Sequence, residues 1–492
     1  MSDGELALVL HTHMPYVEGF GTWPFGEEWL WEAVATSYLP LLDVLDRHGA
    51  EVTRERLTLS LTPVLCDQLE APGALERCIA FLRMIRPESH RLDIEGFARV
   101  GETTAVRELE RSAAEYAAAA ERLEGLLTCG TGTGNGIRTG NGIRTGDRDG
   151  AGQSSSNRGL LPALTAHATW TSSATHAILP LLALEESLRL QLSTGIDAGR
   201  ARLPEWGGGF WLPECAHAQW IDPLLTEAGV HLTCVELTNH LGLGDKRHLT
   251  PIQAPAGPVL LPIDRRTIDL VWGADGYPSH AAYRDYNHRT LHDHRVWAND
   301  GSIYDHDRAA EQVHADARAF VQAAQRRLAG GGLCVCALDT ELLGHWWYEG
   351  PLWLDAVLEE APRQGLKLTN LDEYTLGRHL PVPAELPAGA TSWGQDGDLR
   401  TWSAPAVADL AWQARSAELR TWSRGAGAPS SRALRELLAL QSSDWAFLAY
   451  RDWSGDYPRQ RASGHAANLA RALKGETDSD HVRNLAPYLT HS

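Results

Sequence analysis

The chain has 492 residues, 43% hydrophobic and 22% charged, enough to bury one large core and a smaller one. Lys plus Arg number 44 against 63 Asp plus Glu, a net charge of −19 that repels phosphate backbones and argues against nucleic acid as a partner. No apolar run of 18 residues occurs and the start Ser2-Asp3-Gly4-Glu5 is acidic, so neither a membrane partner nor a signal peptide is expected and the chain reads as cytoplasmic.

In chain order, Leu6 to Leu10 is the first short continuous apolar run, the pattern of a strand buried on both faces of a parallel sheet. Similar runs follow at Leu57 to Val64, Gly209 to Pro213, His231 to Val235, Val259 to Ile263, Leu333 to Leu338 and Leu366 to Leu368. Helical stretches such as Trp31 to Arg47 and Ala309 to Leu328 lie between them, and this alternation predicts an α/β barrel. Arg107 to Leu127 reads as an amphipathic helix, with Leu109, Tyr116, Ala120, Leu123 and Leu127 on its apolar side. The segment from Gly130 to Gly159 is nearly all Gly, Thr, Asn, Ser and Arg and holds TGNGIR twice in tandem, which predicts a flexible linker. A Pro- and Gly-rich break at Pro381 to Gly397 precedes helical patterns at Leu399 to Trp422 and Ser431 to Tyr450. The expected organisation is a catalytic barrel over residues 1–385, with a helical insertion at about 66–128 and the linker at 129–160, then a C-terminal all-α domain over 390–492.

Catalytic side chains of a parallel barrel sit at the C-terminal ends of its strands, so the polar groups that follow the apolar runs carry the information. His11 and His13 follow the first run two residues apart, a spacing that places both imidazoles on one face. Glu214 follows Gly209 to Pro213, and Asp339 follows Leu333 to Leu338. Two carboxylates at separate strand ends suit glycoside cleavage, where one attacks the anomeric carbon and the other protonates the departing oxygen. Each has a plainer reading as a solvated or helix-capping acid, and Asp339-Thr340 has the form of an N-cap. The H-x-H pair is open to two readings, hydrogen bonding to sugar hydroxyls or metal ligation with a carboxylate as a further ligand. Seven cysteines without a C-x-x-C pair, among them Cys334 and Cys336 inside an apolar run, read as buried small residues. The 18 tryptophans against 7 phenylalanines suit both core packing and stacking on sugar rings.

HTHMPY, ATHAILPLL, GFWLPECAH, ALDTELLGHWWYEG, TSWGQDGDLRTW and QSSDWAFL together resemble glycoside hydrolase family 57, closest to its branching-enzyme subgroup, in the right order along nearly the whole chain. The resemblance implies a (β/α)7 barrel with an inserted helical subdomain and a C-terminal helical domain that completes the cleft. It implies Glu214 as nucleophile and Asp339 as general acid/base. His11, His13, His176, Trp29, Arg265, Trp272, Trp393, Trp402 and Asp444 correspond to residues lining the substrate pocket and cleft. It implies neither metal nor cofactor. The expected activity is retaining transfer of an α-1,4-glucan segment to a 6-hydroxyl, with amylose, glycogen or a related α-glucan as substrate. An α-1,4-glucan hydrolase and a 4-α-glucanotransferase of the same mechanism are the alternatives, followed by a zinc-dependent deacetylase-like hydrolase and a non-catalytic glucan-binding protein.

Three departures stand out. The stretch Thr165 to Ser173 lacks the acidic strand end that often precedes the ATH motif in relatives. The loop after Val235 is short and has no tyrosine to match the one relatives use to shield the glycosyl-enzyme from water. Arg265 and Arg266 both lie nearer Trp272 than the matching arginine does, leaving two candidates for ligand contact.

Overall fold

The computed structural model describes residues 4–22, 24–128, 159–203, 205–423, 428–476 and 484–489, so the tandem repeat of the predicted linker lies outside the described residues. Among the described residues there are ten strands: β1 (Gly4–Thr12), β2 (Leu57–Leu61), β3 (Thr171–Ser172), β4 (Gly209–Trp211), β5 (Leu232–Val235), β6 (Ile252–Gln253), β7 (Val259–Pro262), β8 (Gly332–Asp339), β9 (Lys367–Leu368) and β10 (Val382–Pro383). Seven of them close a parallel barrel. β1 pairs with β2 and β8, β3 with β4, β4 with β5, and β5 with β7. Single bridges Ser60–Trp170 and Ile263–Val335 join β2 to β3 and β7 to β8, completing the ring. β6 runs antiparallel to β7 and carries β10 on its far side, while β9 pairs with the start of β1.

The expected (β/α)7 barrel is therefore the observed one, and its apolar runs behave as a doubly covered sheet requires. Leu6, Ala7, Leu8, Val9 and Leu10 are all buried, and so are Leu333 to Leu338 alongside them. Full burial of one such leucine contributes about 1.5–3 kcal/mol, which makes β1 and β8 the main anchor of the ring. The predicted strand Leu57 to Val64 stops at Leu61. Pro63, without an N–H and with φ preset, begins the helix Pro63–Leu69 instead. β3 is not legible as an apolar run because it consists of Thr171 and Ser172. It is held by close helix packing: a Cβ at Gly195 of the helix Glu185–Arg202 would stand 2.4 Å from the Ser172 carbonyl oxygen.

Between β2 and β3 the chain adds a helical layer that includes the 26-residue helix Thr103–Thr128. That layer is tied to the segment after β7 through buried polar contacts, including Arg284 to Glu108 at 2.5 Å and His306 to Glu108 at 2.9 Å. The C-terminal helices are Ala408–Thr421, Ser431–Leu440, Ser443–Arg451 and Tyr457–Leu473. The expected helix over Ser431 to Tyr450 is broken at Gln441–Ser442, and the break turns Ser443 and Asp444 toward the barrel mouth. The helix Tyr457–Leu473 has no counterpart among the predicted stretches; its buried face is made by Arg461, His465, Leu469 and small alanines, a weak apolar signal. All six cysteines among the described residues are buried and free.

Candidate active site

The site is built on the C-terminal ends of β1, β3, β4 and β8. After β4 the chain makes a tight turn, Pro213–Cys215, in which Glu214 (φ 60°) and Cys215 (φ 50°) both adopt the left-handed conformation. Such residues cost of order 1–3 kcal/mol each unless their surroundings hold them. Here the amides of Cys215 and Ala216 donate to the Leu212 and Pro213 carbonyls at 2.8 and 3.0 Å. The segment Thr391–Trp393 zips onto the turn: His217 and Thr391 exchange backbone bonds at 2.9 Å, and the Trp393 amide donates to the Glu214 carbonyl at 2.9 Å. This delivers the Trp393 indole N–H to Glu214 Oε2 at 2.6 Å. His176, after β3, is a third left-handed residue (φ 58°) of the same pocket, and strain gathered at one place is the usual mark of a functional site.

β1 lies between β2 and β8 in a register that makes His11 the partner of Ser60 on one side and of Asp339 on the other. Three imidazoles then stack: His11 on His176 at 5.0 Å and His176 on His13 at 3.9 Å, with Trp211 of β4 covering the outer face of His11 at 4.6 Å. His11 Nε2 and His176 Nε2 share a hydrogen bond at 3.0 Å, so one ring donates and the other accepts. Their Nδ1 atoms are engaged by Ser60 Oγ at 3.4 Å and Ser443 Oγ at 2.9 Å. Burial pushes both rings well below the ordinary histidine range, so they are neutral near pH 7. Nitrogens committed to one another and to hydroxyls do not converge on a common point as ligands would. Among the described residues no group of three His, Cys, Asp or Glu is arranged to hold a metal ion.

Burial, and next the charge of Asp339, push the Glu214 carboxyl up to about 8, against the opposing pull of the Trp393 hydrogen bond. Burial and the neighbouring Glu341 push Asp339 up to about 7. Both acids are half-buried, and the Asp339 charge acts on Glu214, so the two share one electrostatic environment. A pair of this kind retains a proton near neutrality, and the indole N–H favours the negative charge on Glu214. One proton shared within a coupled pair of acids is what a nucleophile matched with a general acid requires.

The remaining sequence-predicted residues fall into three groups. His13 and Asp444 join the barrel to the C-terminal helices through a 3.0 Å contact, with His13 Nδ1 near Thr62 Oγ1 at 3.3 Å. Arg265 is the arginine that faces inward: it pairs with Glu236 at 2.7 Å and donates to the Trp393 carbonyl at 3.4 Å, while Arg266 is exposed. Of the tryptophans, Trp272 is 49% exposed and stacks on Trp346 at 5.6 Å, and half-buried Trp29 meets Tyr457 edge-on at 5.6 Å. Trp402 differs: it is only 3% exposed and packs with Ile178 and Ala216. Sequence reasoning misses Trp211, Ser443, Glu341 and Tyr38. Trp211, Ser443 and Glu341 lie inside the motifs GFWLPECAH, QSSDWAFL and ALDTELLGHWWYEG, whereas Tyr38 has no local signal inside its helix.

A barrel with two half-buried, electrostatically coupled acids at strand ends, neutral imidazoles beside them and tryptophans nearby has the makings of a glycoside-cleaving type of site. Residues 169–380 match the family model for glycosyl hydrolase family 57, and residues 423–486 match the model for the C-terminal region of 1,4-alpha-glucan branching enzymes. A probable 1,4-alpha-glucan branching enzyme of Mycobacterium tuberculosis is 32% identical over 96% of this chain and 92% of the relative. The crystal structure of a branching enzyme of this family from Pyrococcus horikoshii superposes with a TM-score of 0.80 at 28% identity, covering 99% of this chain and 94% of that one. An alpha-amylase from Thermotoga maritima, at 21% identity and TM-score 0.72 over 99% and 96% of the two chains, shares the fold. The chain belongs to glycosyl hydrolase family 57.

Proposed function

We propose that this protein is a 1,4-α-glucan branching enzyme that works by retaining double displacement. The observation that carries the reading is the acid pair: Glu214, fastened by the Trp393 indole N–H, and Asp339, held toward its protonated form. In the first step Asp339 gives its proton to the glycosidic oxygen while Glu214 attacks the anomeric carbon, leaving a glycosyl ester on Glu214. In the second, Asp339 as carboxylate takes the proton of an incoming 6-hydroxyl, whose oxygen displaces Glu214 and forms the α-1,6 linkage. The neutral imidazoles of His11 and His176 offer hydrogen bonds to sugar hydroxyls without adding charge, and Trp29, Trp272 and Trp393 supply stacking faces. The catalytic unit is residues 1–385, and the helices beyond 390 complete the cleft through Ser443 and Asp444. A neutral polysaccharide of the amylose or glycogen type suits a chain of net charge −19, and a cytoplasmic location suits a storage glucan. No described helix is long and apolar enough to cross a membrane.

A second outcome of the same chemistry is favoured by the loop after β5. Besides having no tyrosine, it is fastened to the body: Asn239 Nδ2 donates to the Asp396 carbonyl at 2.5 Å, His240 Nε2 contacts the Glu385 carbonyl at 3.0 Å, and Arg327 donates to the Gly244 and Asp245 carbonyls. Weaker exclusion of water raises the share of glycosyl-enzyme resolved by hydrolysis. Incubation with amylose decides between the readings: new α-1,6 signals in proton NMR support branching, whereas reducing ends or redistributed α-1,4 chains alone replace it with hydrolysis or disproportionation.

A further inference from the structure

A cavity of about 510 Å³ opens at the end of the barrel opposite the acid pair, a volume within the usual range of small-ligand sites. Its floor is backbone: Gly207 and Gly208 lead into β4, and Gly229 stands just before β5. Glu214 follows the other end of β4, and Glu236 the other end of β5. At about 3.3 Å per residue, β5 holds His231 and Glu236 roughly 16 Å apart. The floor has to be glycine. Gly208 and Gly229 adopt φ of 86° and 87°. A Cβ at Gly208 would stand 2.8 Å from the His231 ring, and one at Gly229 3.2 Å from the Arg200 guanidinium, so both side chains lie against peptide backbone at the rim. A Cβ at Gly207 would meet nothing within 4 Å, and there the hollow is open.

The walls carry the chemistry of sugar recognition. Trp206 supplies an apolar side, its indole N–H fixed to the Gly209 carbonyl at 2.8 Å and the Arg200 guanidinium lying 5.1 Å from its ring centroid. Arg200, from the last turn of the helix Glu185–Arg202, offers N–H donors. Two acceptors come from the segment after β9: Asp372, whose carboxylate also caps the helix Glu373–Arg378, and Glu373, which meets His231 Nδ1 at 3.3 Å. The side chains of Arg200, His231 and Glu373 are each more than half exposed. One guanidinium against two carboxylates leaves no excess of positive charge, which disfavours phosphate or any other anion. Donors and acceptors beside an apolar wall match a neutral polyhydroxyl chain, whose hydroxyls give and take hydrogen bonds and whose C–H faces pack on an indole. We propose that this cavity is a second glucan-binding site, holding part of the polymer at the far end of the barrel while the acid pair works on another part. It rests on α-glucan as the substrate and adds an anchor, because a chain held at two places on one protein is bound more tightly than at either.

Affinity electrophoresis in glycogen gels tests the idea in the Glu214→Gln background, where turnover is removed. Gly207→Leu fills the cavity without deleting a contact, and Arg200→Ala combined with Glu373→Ala removes a donor and an acceptor from exposed positions. Each change should leave melting unaltered and raise the apparent Kd for glycogen about tenfold, as loss of one of two linked sites predicts. Retardation equal to that of the background protein in either folded variant overturns the proposal. A local reading needs no change to the cavity walls: the ring signals of His231 in histidine-labelled Glu214→Gln protein, assigned with His231→Gln, should shift when maltoheptaose is added. A His231 signal that stays in place, or that moves only with inorganic phosphate, overturns the proposal as well. The two readings fail separately. A parent that acts on amylose while His231 ignores the sugar loses this site alone, whereas a parent that shifts His231 yet leaves α-glucan unchanged loses the catalytic reading and keeps the site.

Discussion

Replacing Glu214 by Gln should abolish turnover and at the same time make the protein more stable, by an amount that grows with pH. Burial and the Asp339 charge raise the Glu214 carboxyl from its ordinary 4.5 to about 8. Between those two values the folded protein binds a proton that the unfolded chain releases, so stability falls as pH rises through this window. The full cost is reached only above pH 8. At about 1.36 kcal/mol per pH unit the upper bound is about 5 kcal/mol. The residual 18% exposure of the side chain and the sharing of repulsion with Asp339 reduce this to about 2–3 kcal/mol. Glutamine carries no such penalty, and its amide oxygen still accepts from Trp393. Melting curves of parent and variant should therefore nearly coincide at pH 4.5–5 and separate by roughly 2–3 °C at pH 9, with the variant higher. A gap that is constant across this range, or a variant that melts below the parent at pH 9, would refute the claim that Glu214 is a destabilised acid.

Other outcomes follow from the same geometry. Asp339→Asn should lose 10²- to 10⁴-fold of its rate on amylose, about what a general acid contributes, and recover much of it on a glycosyl fluoride. Steady-state rates on the two donors check this. Trp393→Phe keeps the ring and removes the 2.6 Å bond to Glu214. The acidic limb of kcat/KM should move upward and the rate fall about tenfold, as loss of about 1.5 kcal/mol predicts. Asp444→Ala leaves His13 Nε2 without its 3.0 Å partner. A drop in kcat with an unchanged far-UV spectrum is expected, whereas an unaltered kcat would mean that the C-terminal helices do not help to set the pocket. Trp272→Ala removes an exposed stacking face and should raise KM for long glucans more than it changes kcat, measured against maltooligosaccharides of increasing length.

The acid pair is legible in the chain because catalytic acids of a barrel follow its apolar strands, and Glu214 and Asp339 each follow such a run. The helical layers are legible in outline for the same reason: long amphipathic or alanine-rich stretches leave periodic traces. By itself, then, the sequence determined the type of fold, the order of most of its elements and the two candidate acids, all carried by local pattern. The rest depends on partners far apart in the chain. β3 is two polar residues, and only the pairing of its neighbours and the close helix at Gly195 make it a barrel strand. Glu214 is aimed by Trp393, 179 residues away, and the histidine stack is clamped by Ser443 and Asp444 from the last helices. Tyr38 and Glu341, 303 residues apart, meet at one carboxylate oxygen. Tertiary structure alone decided these, because a proton's place depends on burial and on distances to other charges, and neither quantity is written in the spacing of residues along a chain.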